Sequence, residues 1–578
     1  QLYLILMLAV LIKIPALVAF RLYRSITRYI SIETYVKITK ASSIGTLLWA
    51  LIVYSMQLPV PRSVFIIFFV VSTLFLFLTR YTARAFLTQQ KINNMRSVLI
   101  YGTSQESIEI SSMLKNNNSI HPVGFITTDI DLKRTMISDL PVYTINDLSR
   151  ITSKRNVEEI LITFSDQTKN KLKEILSNLD SYHKIIRKLP NIKELASGTI
   201  KISQIEKINI EDLLGRDAVK PNEYLLTACI ENKSVFITGA GGSIGSELCR
   251  QIIRLQPRKI IMLEQSEYFL YEIDRELSEI QSNNNTSIEI SSYMGSVSDE
   301  DLVKTIFEKE SIDTINHAAA NKHVPLVEHN PLSAIKNNIF GTYTVAHQAY
   351  KNNVENFVLI SSDKAVRPTN IMGATKRFAE IILQSLQDVV NDLPANKCKT
   401  KYCMVRFGNV LDTSGSVVPL FKKQIESGGP LTVTDPRVIR YFMTISEATE
   451  LVIQAGSLSK GGDVFLLDMG EPLNILDLAH EMIKLSGKEI KDKSNPAGDI
   501  EIKFTGLRSG EKLYEELLIG DDVAKTSHDY IMSANEEKLP FDEMTACIDK
   551  LKSLDNKSGI NQIKDVLYES VSGYNPYN

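Results

Sequence analysis

The sequence predicts an α/β protein: N-terminal transmembrane helices, then two doubly wound domains, the second with a small C-terminal substrate subdomain. Three observations predict it. The first ninety residues hold three apolar stretches with basic flanks. Two later segments each open on a buried strand, a glycine-containing turn and a helix. The second of these turns carries three spaced glycines and is followed by a strand with an acidic end. At 578 residues the chain is too long for one core. The expected divisions are 1–90, 91–195, a linker over 196–232, and 233–578.

The apolar stretches are 1–20, 43–57 and 64–79. The first and third approach the roughly 20 residues that cross a hydrocarbon core. Lys13 and Pro15 interrupt the first. Arg21, Arg24, Arg28, Lys37 and Lys40 follow the first stretch, and Arg80, Arg84 and Lys91 follow the third. Basic connections face the cytoplasm, which predicts a multi-pass protein of the inner membrane with everything after residue 90 inside. Gln1 already stands in an apolar run, so the chain reads as one whose start precedes it. A soluble protein with buried apolar helices is the competing reading.

Sixty-five Lys and Arg against 67 Asp and Glu leave a net charge of −2, which argues against bulk nucleic-acid binding. Five cysteines without a CxxC spacing predict reduced thiols and no metal site.

In the first α/β domain "SVLIYGT" runs into Gly102, Thr103, Ser104, Gln105 and Glu106. One glycine and a nearby carboxylate suit a pyrophosphate poorly, so this Rossmann-like domain is expected to lack a nucleotide. The second domain opens with "SVFITGAGGSIGSELC". Gly239 permits the tight turn, Gly242 lets backbone meet a pyrophosphate, and Gly245 lets helix pack on strand. Ser243 and Ile244 lie between them, where the first helical N–H groups point at the ligand. The next strand ends in Glu264, placed to accept hydrogen bonds from adenosine ribose hydroxyls and to repel a 2′-phosphate, so NAD is favoured over NADP. A plain surface charge is the alternative for Glu264. The fourth strand leads into Ala318 and Ala320, small enough to leave room for a cofactor. The fifth delivers "SSDKAVRPTNIMGATK" to a strand's C-terminal end, where open parallel sheets bind ligands.

Together "TGAGGSIGSEL", "NHAAANKHVPLVE", "NNIFGT", "SSDKAVRPTNIMGATKR", "VRFGNVL", "GSVVPLFKKQI", "RYFMTISEA" and "GLRSGEKLYEEL" resemble the extended short-chain dehydrogenase/reductase (SDR) family. Within it the chain resembles the membrane-anchored nucleotide-sugar 4,6-dehydratases of the PglF/WbpM/CapD group. The resemblance implies NAD-linked removal of water from UDP-N-acetylglucosamine. The hydrogen at C4 leaves as hydride, water is eliminated across C5 and C6, and hydride returns to C6. The 4-keto-6-deoxy product would feed bacterial glycan or capsule biosynthesis. It also implies that Asn338 orders the active-site strands, that Lys376 binds the nicotinamide ribose, and that Asn409, Ser416, Val417 and Arg508 grip the UDP portion. Lys322, Arg440 and Glu511 are further substrate-side candidates, each with a surface-charge alternative. A homodimer or higher homo-oligomer through helices near 343–352 and 374–390 is typical of such scaffolds. Two departures stand out: Ser296 follows Gly295 where many relatives have Asp, and the first domain's turn is poorer in glycine.

The hydride-transferring enzymes of this scaffold place a Tyr four residues before Lys376; here it is Met372, which transfers no proton. Elimination needs a base for C5 and an acid for the 6-hydroxyl. Asp363, held protonated, is expected as the acid and Lys364, held neutral, as the base, with Ser362 as a relay. A strand-end salt bridge is the alternative for that pair. The competing functions are a UDP-hexosamine 4-epimerase, which normally relies on the missing Tyr, and a non-catalytic membrane scaffold.

Overall fold

The computed structural model describes residues 2–20, 22, 32–93, 95–115, 120–163, 175, 179, 185–189, 206–207 and 221–576, apart from 285–286, 395–396, 509, 517–522 and 556–558. Its contacts divide it into two units, residues 1–165 with 184–207, and residues 166–183 with 208–578.

The first unit opens with helices α1 (Leu2–Ala19), α2 (Ile32–Ser55) and α3 (Arg62–Asn93). Thr34–Ser55 and Arg62–Ala83 are each long and apolar enough to cross a membrane, whereas α1 is shorter. Apolar side chains cover the outside as well as the interior: Leu47, Leu51, Ile66 and Phe75 face outward, while Ile38, Trp49 and Val53 are buried alongside Ser42, Thr46 and Thr73. That arrangement suits a lipid surround. Lys13 is tolerated in α1 because its ammonium turns inward and donates to Ser72 Oγ at 2.8 Å. Arg21, Arg24 and Arg28 lie outside the described residues, as do the side chains of Arg84 and Lys91.

The same unit holds a seven-stranded sheet, β1 (Arg96–Tyr101), β2 (Ile120–Thr127), β3 (Met136–Ile137), β4 (Leu140–Thr144), β5 (Glu159–Thr163), β6 (Ile185–Leu189) and β7 (Glu206–Lys207), in the order β3-β4-β2-β1-β5-β6-β7. Gly102 takes φ +95° after β1, and Ser104 Oγ accepts from Ser107 N at the start of the next helix. The expected linker at 196–232 is interrupted at both ends. Strand β7 falls inside it, and helix Glu223–Thr227 belongs to the second unit, where Asn222 N donates to Gln454 Oε1. Residues 196–205 and 208–220 lie outside the described residues.

The second unit is built on β8 (Ser234–Thr238), β9 (Lys259–Glu264), β10 (Glu289–Met294), β11 (Thr314–His317), β12 (Asn356–Ile360) and β13 (Lys401–Arg406). They run in parallel in the order β10-β9-β8-β11-β12-β13, extended by a parallel strand Asp463–Leu467 and two antiparallel ones. Strand order reverses between β8 and β11, the crevice where such sheets bind ligands. β8 and β9 are buried along nearly their whole length, as a sheet covered on both faces requires.

Helix Ile371–Asn391 buries most of its side chains, including Arg377, Glu380 and Gln384. The C-terminal helices Phe541–Lys552 and Ile560–Ser570 pack on it, bringing Met544, Ile548 and Leu567 into one cluster with Phe378, Ile382 and Leu386. The chain's own C-terminal helices thus cover much of segment 374–390, one of the two helices expected at a homodimer face.

Candidate active site

The glycine turn is fixed by close approach. Gly239 has φ +65°, and a Cβ there would come within 2.8 Å of the Ala319 backbone. A Cβ on Gly245 would collide with the Gly239 carbonyl oxygen. Gly242 is the N-cap of helix Ser243–Ile252, so the first N–H groups of that helix open onto the turn. Gly241, not singled out above, is equally constrained: a Cβ there would strike Phe269, and its N–H donates to Glu264 Oε2 at 3.0 Å. Glu264 also accepts from Ser266 N at 3.0 Å, so each carboxylate oxygen keeps a lone pair for a ligand. A cradle that excludes side chains, with a carboxylate at its rim, fits an adenosine diphosphate moiety.

Two cavities meet over this turn. One, of about 560 Å³, is lined by Glu264, Ser296 and Phe269; the other, of about 460 Å³, by Ser362, Lys364, Met372 and Lys376. Gly239, Gly242, Ala318, Ala320 and Lys322 line both, making one continuous cleft. Ser243, Ile244 and Gly245 line the second. Ser243 Oγ accepts from Ser414 N at 3.2 Å, tying the turn to the substrate-side loop.

Below the cleft a chain of neutral hydrogen bonds sets the floor. Thr342 Oγ1 donates to Asn338 O, so His317 Nε2 must donate to Thr342 and His317 Nδ1 must accept from Thr238 Oγ1. Burial, with Lys376 nearby, pushes the His317 pKa down to about 3, in keeping with a neutral ring. Asn338 Oδ1 accepts from Asn321 N, while its Nδ2 donates to Asn321 O and Thr375 Oγ1. It thereby clamps the loop after β11 to the helix that carries Met372 and Lys376. Asn338 lies in a stretch of wider π turns, Ile335–Phe340, a distortion frequent at functional sites.

Lys376 Nζ donates to Ile360 O at 2.6 Å, and burial, opposed by Glu380, lowers its pKa to about 8. Met372 is 2% exposed and lines the cleft wall. Lys364 Nζ lies 3.0 Å from Asp363 Oδ1, 3.4 Å from Asn409 Oδ1 and 3.5 Å from Glu515 Oε1. Burial favours its neutral amine, but Asp363 and Glu515 outweigh burial and hold the pKa above the ordinary lysine value. The expectation of a neutral Lys364 is therefore corrected: two carboxylates favour its ammonium form. Asp363 is 2% exposed and sits behind the wall, with Oδ1 accepting from Ser362 Oγ at 2.8 Å. It reaches the cleft through Ser362.

The substrate-side candidates divide. Arg508 is exposed, lines the cleft, and its guanidinium makes no ion pair among the described residues. Lys322 also points in, and desolvation lowers its pKa. Ser416 and Val417 start helix Val417–Glu426; Ser416 Oγ is buried without a hydrogen-bond partner among the described residues. Arg440 also lines the cleft and is braced: Nη1 donates to Ile439 O and Leu513 O, and Nη2 to Lys512 O. Glu511 accepts from Thr434 Oγ1 and Arg508 N.

The model of a family described as "Polysaccharide biosynthesis protein" matches residues 235–536, and one described as "CoA-binding domain" matches 19–187. The Staphylococcus aureus capsular polysaccharide biosynthesis protein CapD is 42% identical over 434 residues, which cover 74% of this chain and 69% of that one. A Campylobacter jejuni protein named UDP-N-acetylglucosamine 4,6-dehydratase (inverting) is 31% identical over 50% of this chain and 78% of its own length. A Rickettsia canadensis protein named UDP-glucose 4-epimerase is 32% identical over 51% of this chain and 80% of its own.

Proposed function

The chain belongs to the polysaccharide biosynthesis protein family, and from that premise we propose that it is an NAD-dependent 4,6-dehydratase of UDP-N-acetylglucosamine. It is held in the inner membrane by several spanning helices, with its catalytic domain in the cytoplasm and its product serving glycan or capsule assembly.

The observation that carries this reading is the Lys364–Asp363 pair, 3.0 Å apart beside a cleft wall where Met372 replaces a proton-transferring Tyr. The pair shares one transferable proton. Moving it from Nζ to Oδ1 turns an ion pair into a neutral base and a protonated acid, the two groups that elimination across C5 and C6 requires. Exclusion of water by a bound nucleotide sugar favours the neutral pair. Ser362 Oγ, which lines the cleft and touches Asp363, passes the acid's proton to the departing 6-hydroxyl.

NAD, when bound, supplies a reversible hydride acceptor for C4. The glycine turn and the helix N–H groups behind it would hold its pyrophosphate, Glu264 and Lys376 its riboses. Arg508 and Lys322, neither in an ion pair among the described residues, bring positive charge to the sugar diphosphate, and Arg508 can meet phosphate oxygens bidentately. Asn409 and the Ser416 hydroxyl are the neutral contacts available on that side.

The test is incubation of the full chain in detergent with NAD and UDP-N-acetylglucosamine, read by mass. Loss of one water is expected. A mass-neutral change would replace this reading with epimerisation, and no change with any UDP-hexosamine would replace it with a scaffold.

A further inference from the structure

Lys364 sits between two carboxylates, and only one belongs to the acid–base pair. The second, Glu515, comes from the far C-terminal part of the domain. Its Oε1 lies 3.5 Å from Lys364 Nζ and 3.5 Å from Arg440 Nε. Its side chain is 4% exposed, and Oε2 has no hydrogen-bond partner among the described residues. A buried carboxylate oxygen left unsatisfied opposes folding, so its placement asks for a reason. Arg440, fixed by three backbone carbonyls, holds Glu515 in register. Glu515 and Lys364 both line a side cavity of about 190 Å³, and Lys364 also lines the main cleft.

Resting on the dehydratase reading, we propose that Glu515 is a positioning residue that seats the Lys364 amine at the junction of the two cavities and sets how readily it releases its proton. One proton moves from Nζ to Asp363 Oδ1 and no electrons move. The three groups carry a net charge of −1 before and after. Glu515 stays ionised throughout and accepts an N–H from the neutral amine, which turns the nitrogen lone pair toward the cleft and C5. The other charged groups around Lys364 are Arg440 and, on the adjoining cavity walls, Lys322, His323, Arg508, Glu511, Lys512 and Lys376. Of these, Arg440 opposes the Lys364 charge.

The experiment compares the full chain with Glu515→Gln and Glu515→Asp, following water loss from UDP-N-acetylglucosamine as kcat/KM against pH, with thermal unfolding measured alongside. The negative charge of Glu515 favours the ammonium, so its removal makes Lys364 more acidic. The alkaline limb, where the pair loses its shared proton, moves to lower pH by about one unit in the Gln variant. The Asp variant, charged but one methylene shorter, moves less in the same direction. An unmoved limb in a folded Gln variant overturns the proposal; if that variant does not fold, an unmoved limb in the Asp variant does so. A wild-type chain that never loses water overturns the dehydratase reading instead.

Discussion

Asp363→Asn exchanges one oxygen for an amide nitrogen and keeps the volume. The remaining oxygen still accepts from Ser362 and Lys364, but the charge 3.0 Å from Nζ is gone. Coulomb attraction at that distance is about 5.5 kcal/mol for an effective dielectric near 20. This is a gross value, because Glu515 keeps its charge and the Lys364 side chain is 23% exposed. Two effects of opposite sign follow. Lys364 gives up its proton more easily, so base chemistry at C5 survives. No group at 363 can protonate the leaving hydroxyl, and loss of a positioned general acid lowers the rate about 10²–10⁴-fold, equal to about 2.7–5.5 kcal/mol. The variant therefore separates the partial reactions. In D₂O, sugar nucleotide recovered from Asp363→Asn should carry deuterium at C5 while water loss falls by that factor. In Lys364→Met both should stop. Water loss at the wild-type rate in Asp363→Asn, or joint loss of exchange and elimination, would refute the assignment of separate acid and base.

Gly245→Ala places a methyl against the Gly239 carbonyl, so the turn must open; NAD affinity should drop at least about tenfold, measured by fluorescence titration, alongside a stability loss of about 1–3 kcal/mol. His317→Gln should remove an acid sensitivity. The folded pKa of about 3 lies below the unfolded 6.5, so the unfolded state binds the proton first. Stability is complete above the unfolded value and is lost as pH falls, by about 2 kcal/mol at pH 5. The gap between unfolding midpoints at pH 7 and pH 5 should narrow in the variant. Arg508→Ala removes an exposed cation without an ion-pair partner among the described residues, so stability should change by less than about 0.5 kcal/mol. Its KM for the sugar nucleotide should rise about 10–100-fold, the worth of a charge-assisted hydrogen bond to phosphate.

What could be read from the sequence is what local spacing determines. Gly239, Gly242 and Gly245 follow one strand directly, so their roles appear in a dozen residues. Glu264 ends the adjacent strand, and Ser362, Asp363 and Lys364 end another. Residues brought together by tertiary folding left no such mark. Glu515 meets Lys364 across the domain, and nothing in "KLYEEL" distinguishes it from a solvated charge. Arg440 lines the cleft as the sequence reading expects, but an arginine near a motif carries no sign of the backbone carbonyls it also braces. The charge state of Lys364 was misjudged for the same reason: burial alone favours the neutral amine, and the second carboxylate that reverses the balance is remote in sequence. The cover that Ile371–Asn391 receives was equally illegible, because the helices that pack on it lie after residue 540.

On the proposed mechanism Met372 is tolerable because the proposed acid–base groups stand on the strand end and the helix only supports them. Asp363 N donates to Phe407 O, and Ala365 N to Ser362 O, so the turn is pinned to the residue that follows β13 and to itself. Just before it, Ser361 Oγ donates to Glu380 Oε1 at 2.6 Å. Glu380 is fully buried between Arg377 and Arg406, whose charges outweigh burial and hold its pKa down at about 2. Arg406 in turn pairs with Glu536. This ionic network locks the ends of β12 and β13 to helix Ile371–Asn391, fixing Ser362 and Lys364 relative to Lys376 through residues other than Met372. An apolar side chain there fills the wall, and on the proposed mechanism the water it excludes would otherwise oppose proton transfer from Lys364 to Asp363. A tyrosine would instead bring a second proton-transferring group beside the pair, so Met372→Tyr in a folded chain should lower the rate of water loss rather than raise it; a faster enzyme would show that the methionine is a deficit the scaffold bears, not a part of the site.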